Sequence, residues 1–485
     1  LGVTAILSTT AQAASPQSAV STPLAGAPRL DLGRIDLAAQ GYVVEEFTVS
    51  GVAKSFKKVG EFGEDGRWKI AHAGTAPYVT RIVVVRPRDA RKFNGAAAVE
   101  WLNVSGGIDL PPDWMATHRE LMRSGFAWVG VSAQKVGIEG GPSMSPAAVP
   151  LKKADPARYG HLTHPGDAYA YDIYSQVGRL LRNPAAKLMG PLALRRVLAI
   201  GESQSAAFLT TYVNAVDPLA QAYDGFVIHS RFGSGASISG ASMMGGAKTE
   251  MPSFARLRPD LRVPVITVIT ETDLLMQMGG FLGARQPDTN RLRIWEVPGT
   301  AHADTHTFNA AAIDADSTPI ATLAASYAAT DMAAGMKLAK PINAAPQHHY
   351  LVSTAINKLD VWVKTGKAPA QADPMQCNAS ATAIPDCAAD AHGNLLGGVR
   401  TPWVDVPTAR LSGLGNSGGP LGFLVGVTEP FDRAKLKKLY PGGRAEYLAK
   451  FTASLTSSIR AGFILPTAKQ EILSIAAESY DQGLK

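Results

Sequence analysis

The chain has 485 residues, 46% of them hydrophobic and 18% charged, a balance that excludes a disordered or fibrous protein and suffices for a large packed core. Its formal charge of +7 is spread along the sequence, and the one locally basic stretch, residues 433–450, also carries Leu436, Leu439, Tyr440, Tyr447 and Leu448. That pattern suits two amphipathic surface helices split at Pro441-Gly442-Gly443 and matches no nucleic-acid motif, and no apolar run reaches transmembrane length; neither a nucleic-acid partner nor a membrane span is expected.

In chain order, residues 1–13 are apolar and small, end in Ala11-Gln12-Ala13 and give way to a polar, Pro-containing run. They look like the remnant of a signal peptide, which implies a periplasmic or secreted protein. Residues 14–40 read as a linker. The β-branched run 79–85 and the apolar run 96–102, with Asn94-Gly95 as a turn signal before the second, predict two strands. A helix over about 114–122 follows, then a Gly125 stop and a strand over 126–131.

A helix over about 167–181 leads to a strand at 197–200 and a second helix from about Ser203. Short apolar runs at 225–229, 263–269 and 292–296 predict further buried strands, and Leu351, Ala355, Leu359 and Trp362 mark one face of a later helix. Strands alternating with helices predict an α/β protein with a mostly parallel central sheet and helices on both faces. Residues 41–485 are read as a single domain, with lid-like insertions at about 232–262 and 305–345 and a C-terminal extension over about 367–485. The two cysteines, Cys377 and Cys387, lie close enough in sequence to close a small disulfide loop in an oxidising compartment, and without neighbouring histidines they make a poor zinc site.

The chemistry concentrates at the ends of three predicted strands. Gly201-Glu202-Ser203-Gln204-Ser205 leaves an apolar strand and opens a helix, the context in which a tight turn flanked by small residues lifts a serine hydroxyl clear as a nucleophile. Ser205 stands where the usual pattern has Gly. A serine hydroxyl needs a base, and the base an orienting carboxylate. His302, in the loop after the strand at 292–296, is the expected base. Asp273, after the strand at 263–269, is the expected acid, with Glu271 as its competitor. The oxyanion of a tetrahedral intermediate needs N–H donors; Gln204 supplies one, and Val104 or Ser105, in the loop Asn103-Val104-Ser105-Gly106-Gly107, the second.

Trp101-Leu102-Asn103-Val104-Ser105-Gly106-Gly107, the run from Trp128 to Gln134, His164-Pro165-Gly166-Asp167, the run from Gly201 to Ser205, Gly299-Thr300-Ala301-His302-Ala303-Asp304 and Gly397-Gly398-Val399-Arg400-Thr401-Pro402 together resemble the bacterial alpha/beta hydrolase domain-containing proteins. The resemblance runs from about residue 40 almost to the C-terminus. It implies the α/β-hydrolase fold, a C-terminal extension that belongs to the same family unit, and esterase-like activity.

The expected function is a serine hydrolase that cleaves carboxylic esters, small or polymeric, through an acyl-enzyme and with no cofactor. The same machinery would serve lactones, polyesters or amides. Two other classes compete: a catalytically inactive binding protein on the same fold, and a metal-dependent hydrolase using His161 and His164, His348 and His349, or His302 and His306.

Overall fold

The computed structural model describes residues 19–483 except 146, 245–248, 277–278, 316 and 379–385; the signal-peptide reading of residues 1–13 lies outside the described residues. Nine strands form the main sheet: β1 (Val20–Leu24), β2 (Tyr42–Val59), β3 (Lys69–Pro87), β4 (Ala96–Trp101), β5 (Ala127–Val131), β6 (Arg196–Glu202), β7 (Gly225–His229), β8 (Val265–Thr270) and β9 (Leu292–Val297), in the order β1-β2-β3-β5-β4-β6-β7-β8-β9. From β5 to β9 all neighbours are parallel, while β1, β2 and β3 join antiparallel at one edge. Strands β4, β5, β7 and β8 are buried along their length, as their largely apolar sequences require.

Successive side chains alternate between two cores. Ala97 and Val99 face the core built with α2 (Ala170–Leu181) and α3 (Gln204–Thr211), whereas Ala98 faces the core built with α1 (Pro112–Arg123) and α5 (Gln347–Thr365). A short helix, α4 (Glu271–Leu275), follows β8. Helix α1 starts without a side-chain cap of its own, and Glu100 of β4 takes over that role: its carboxylate accepts from the backbone N–H groups of Asp113 and Trp114 and from Trp128 Nε1.

The structure differs from the sequence reading at the N-terminal edge. Within residues 14–40, read as a linker, Val20–Leu24 is a strand paired in register with β2, and β2 with β3 makes a hairpin far longer than the run at 79–85 suggested. Both strands are half-exposed over much of their length, so they lack the continuous apolar signal of the parallel strands.

The C-terminal extension has its own core, built by α6 (Arg433–Leu439), α7 (Gly443–Ala461) and α8 (Lys469–Gly483), and Tyr350 of α5 is part of it. The basic stretch thus does form two helices broken at Gly442, with Leu436, Tyr440 and Tyr447 inward. Within residues 305–345 the helix Ile320–Ser326 packs on α8, and Leu338 and Ile342 share a cluster with Leu424 and Val425; this stretch is joined to the extension along its length. Cys377 and Cys387 are disulfide-bonded.

Candidate active site

Strand β6 ends at Glu202, and Ser203 turns the chain into α3 with φ 60° and ψ −115°, a conformation L-residues rarely adopt and that persists only where the surroundings impose it. Its N–H donates to the carbonyl of His229 on the neighbouring β7. A Cβ at Gly201 would stand 3.0 Å from Leu209 Cδ1 and 3.1 Å from Ser205 Cβ, so a larger residue there would make its neighbours give way. Ser205, by contrast, fits fully buried in the place where the usual pattern has Gly.

Ser203, His302 and Asp273 meet at the carboxyl edge of the sheet. His302 Nε2 lies 2.8 Å from Ser203 Oγ and His302 Nδ1 lies 2.6 Å from Asp273 Oδ1. With an acid at Nδ1, the consistent tautomer carries its proton there and leaves Nε2 to accept from the serine. The second Asp273 oxygen accepts from the backbone N–H and the hydroxyl of Thr270, at 3.0 and 2.6 Å. Burial opposes the Asp273 charge, yet His302 and these hydrogen bonds hold its carboxyl below the usual range. Burial likewise disfavours a charged His302, but Asp273 and Glu202 outweigh it and push the imidazole up to about 9. The ring of Phe232, at the start of the predicted insertion, stacks on His302 at 5.3 Å.

Glu271 faces away from this trio. One of its oxygens accepts from Ser412 Oγ and the N–H of Gly413, and the other from the N–H of Gly299; burial still leaves its pKa raised. It ties the loop before His302 to the C-terminal extension. Thr272 completes the tie, donating its hydroxyl to the Gly413 carbonyl while accepting from the His302 N–H.

The oxyanion candidates divide. Gln204 is the first residue of α3, where backbone N–H groups have no intrahelical partner. The N–H of Val104 points to the Gln204 side chain, whose Oε1 accepts from it at 3.2 Å. The Ser105 N–H is used in a local turn, donating to Asn103 Oδ1 at 2.8 Å.

Two neighbours escaped the sequence reading. Glu202, inside the quoted motif, brings Oε1 to 3.3 Å from His302 Nε2, and Asn103 Nδ2 donates to its carboxylate and its carbonyl. His229 closes a buried chain behind the serine: its Nδ1 meets Asp113 at 2.8 Å and its Nε2 meets His348 Nε2 at 2.7 Å. The spacing of the motif exposes Glu202 to anyone who asks what borders the nucleophile; the His229 chain joins residues over a hundred positions apart and has no local signal.

In each histidine pair considered for a metal at least one member is engaged elsewhere. His302 bonds Ser203 and Asp273; His161 is exposed, while His164 bonds the Ala133 carbonyl; His348 bonds His229. A new grouping arises instead, with ligand atoms of His306, Asp314 and His349 within 4.8 Å of one another. The two imidazoles stack at 4.0 Å with planes 12° apart, so their in-plane lone pairs run side by side and do not converge on one point.

A serine at a strained strand-to-helix turn, followed in chain order by the acid and the histidine that contact it, recurs on one well-known architecture, and the family described as Alpha/beta hydrolase domain matches residues 8–474. The chain belongs to that family. Among solved structures, this alpha/beta hydrolase is similar to a putative dienelactone hydrolase from Klebsiella pneumoniae subsp. pneumoniae MGH 78578, at 14% identity and a TM-score of 0.29 over 54% of this chain and 95% of that one. It is similar also to the esterase Est22, at 14% identity and 0.28 over 50% and 68%, and to a glucuronoyl esterase from Solibacter usitatus, at 10% and 0.30 over 59% and 83%. No curated protein matches its sequence. Among the described residues no helix is long and apolar enough to cross a membrane.

Proposed function

We propose that the protein is a serine esterase with Ser203 as nucleophile, His302 as general base and Asp273 as the orienting acid. The observation that carries this reading is the continuous hydrogen-bonded line from Asp273 through His302 to Ser203 at a nucleophile turn. Ser203 Oγ attacks the ester carbonyl carbon while its proton passes to His302 Nε2; the tetrahedral intermediate collapses, the C–O bond to the alcohol breaks, and the imidazolium gives the alcohol its proton. Water then attacks the acyl-enzyme, His302 takes its proton, and the carboxylic acid leaves as Ser203 regains its hydrogen. The oxyanion is received by the N–H groups of Gln204 and Val104, the latter once the Gln204 side chain yields its place to the substrate oxygen. The Cys377–Cys387 disulfide supports a periplasmic or secreted location.

The test is hydrolysis of short and long p-nitrophenyl esters with fluorophosphonate labelling read by intact mass. The wild type is expected to cleave and to label at Ser203, and Ser203→Ala to do neither, with turnover lowered on the order of 10⁴-fold or more. An unlabelled, inactive wild type would leave a binding role on the same fold, and activity surviving in the variant would require another nucleophile.

A further inference from the structure

His302 Nε2 has two oxygens in front of it: Ser203 Oγ at 2.8 Å and Glu202 Oε1 at 3.3 Å. The elbow fixes the Glu202 backbone, and Asn103 Nδ2 fixes the other carboxylate oxygen at 3.2 Å, so the group does not swing away freely. A neutral imidazole turns a lone pair toward Glu202, which a carboxylate oxygen repels, whereas an imidazolium turns an N–H toward both oxygens. The arrangement therefore discriminates between the two forms of the base at the atom that does the chemistry.

On the esterase reading above, we infer that Glu202 is a positioning residue for His302: its carboxylate takes the second place at Nε2, holds the imidazolium form, and confines rapid turnover to the alkaline side. Once Ser203 has given up its proton, the same contact keeps Nε2–H between Glu202 and the serine side until the leaving alcohol takes it. The groups that face Glu202 are His302 from the loop after β9, His229 from β7, Asp113 from α1, Asp273 from the turn after β8 and Asn103 from the loop after β4. Burial pushes the Glu202 carboxyl up to about 7, against the pull of His302 and His229, so above that pH it is ionised beside an imidazole that gains its proton below about 9. The base must be neutral to accept from Ser203. Activity therefore climbs as pH rises through about 9, and removing the Glu202 charge lowers the pH at which it climbs.

The experiment follows kcat/KM and the fluorophosphonate labelling rate against pH in the wild type and Glu202→Gln, together with the NMR titration of the His302 imidazole in both. The expected result is that the rising limb and the titration move together to lower pH by about one unit or more. A His302 titration that coincides in the two proteins overturns the inference. Should Glu202→Gln fail to fold, Glu202→Asp, which withdraws the carboxylate by one methylene, decides: a lower His302 midpoint supports the inference and an unchanged one overturns it. The titration does not depend on turnover. A shifted midpoint in a protein that never labels at Ser203 sinks the esterase reading alone, and an unshifted midpoint in one that labels sinks the Glu202 role alone.

Discussion

Two of the buried histidine groupings among the described residues, around His302 and around His306 with His349, are built on opposite principles. Around His302 both ring nitrogens have partners, and the partner acid has partners of its own in Thr270. Around His306 and His349 the rings stack on each other and beside Tyr327, while His306 Nε2, His349 Nδ1 and the Tyr327 hydroxyl are buried without hydrogen-bond partners among the described residues. The nearest Asp314 oxygen is 3.9 Å from His306 Nε2, too long for a hydrogen bond. Each such orphan costs about 1–3 kcal/mol. Burial and the neighbouring His306 accordingly hold His349 well below its usual pKa and keep it neutral. Depth of burial alone thus does not tell the two groupings apart; the answered nitrogens of His302 do.

The sharpest way to break the contrast is to damage the ordered cluster at its acid. Asp273→Asn keeps the shape but removes the charge that fixes the His302 tautomer, and kcat on p-nitrophenyl esters should fall on the order of 10⁴-fold with melting temperature nearly unchanged. A loss below about tenfold would transfer the acid's role to another group. Glu271→Gln should do the reverse: an amide presents a donor to groups that are themselves donors, so stability should drop by about 1–3 kcal/mol in thermal melts while kcat suffers far less than in Asp273→Asn. The smallest effect belongs to the second cluster. His349→Leu replaces an imidazole whose buried Nδ1 has no hydrogen-bond partner among the described residues with an apolar group of similar size, and melting temperature should hold or rise with ester hydrolysis intact; a clear drop would mean that the ring's stacking and its other nitrogen contribute more than the orphan costs.

The candidate site was legible where its parts are local. The turn at Ser203 is written in five consecutive residues, and the acid and base follow their strands within a few positions, so strand order alone brings them to one edge. The choice between Asp273 and Glu271, two residues apart, was harder, because what separates them is Ser412 and Gly413, some 140 positions downstream. The choice between Val104 and Ser105 is hard for a related reason: whether a loop amide is free depends on a side chain folding back, as that of Asn103 does on Ser105. The N-terminal edge escaped since a half-exposed hairpin has no long apolar run to betray it.

The Gly413 tie also orders events in time. Ribosomes deliver the chain from the N-terminus at about 5–20 residues per second, so Asp273, His302 and Ser203 all emerge well before the segment that receives Glu271. A Cβ at Gly413 would come within 2.4 Å of the Thr272 nitrogen and 2.6 Å of the Thr300 oxygen, which shows how closely that late segment is pressed against the loops on either side of the acid and the base. Without residues 412 and 413 the Glu271 carboxylate would keep only the Gly299 amide of these three partners, and the His302 loop would lose its outer brace. The frame of the candidate site is therefore closed from downstream, and a stretch that holds Ser203, Asp273 and His302 is still short of the residues that brace their loops.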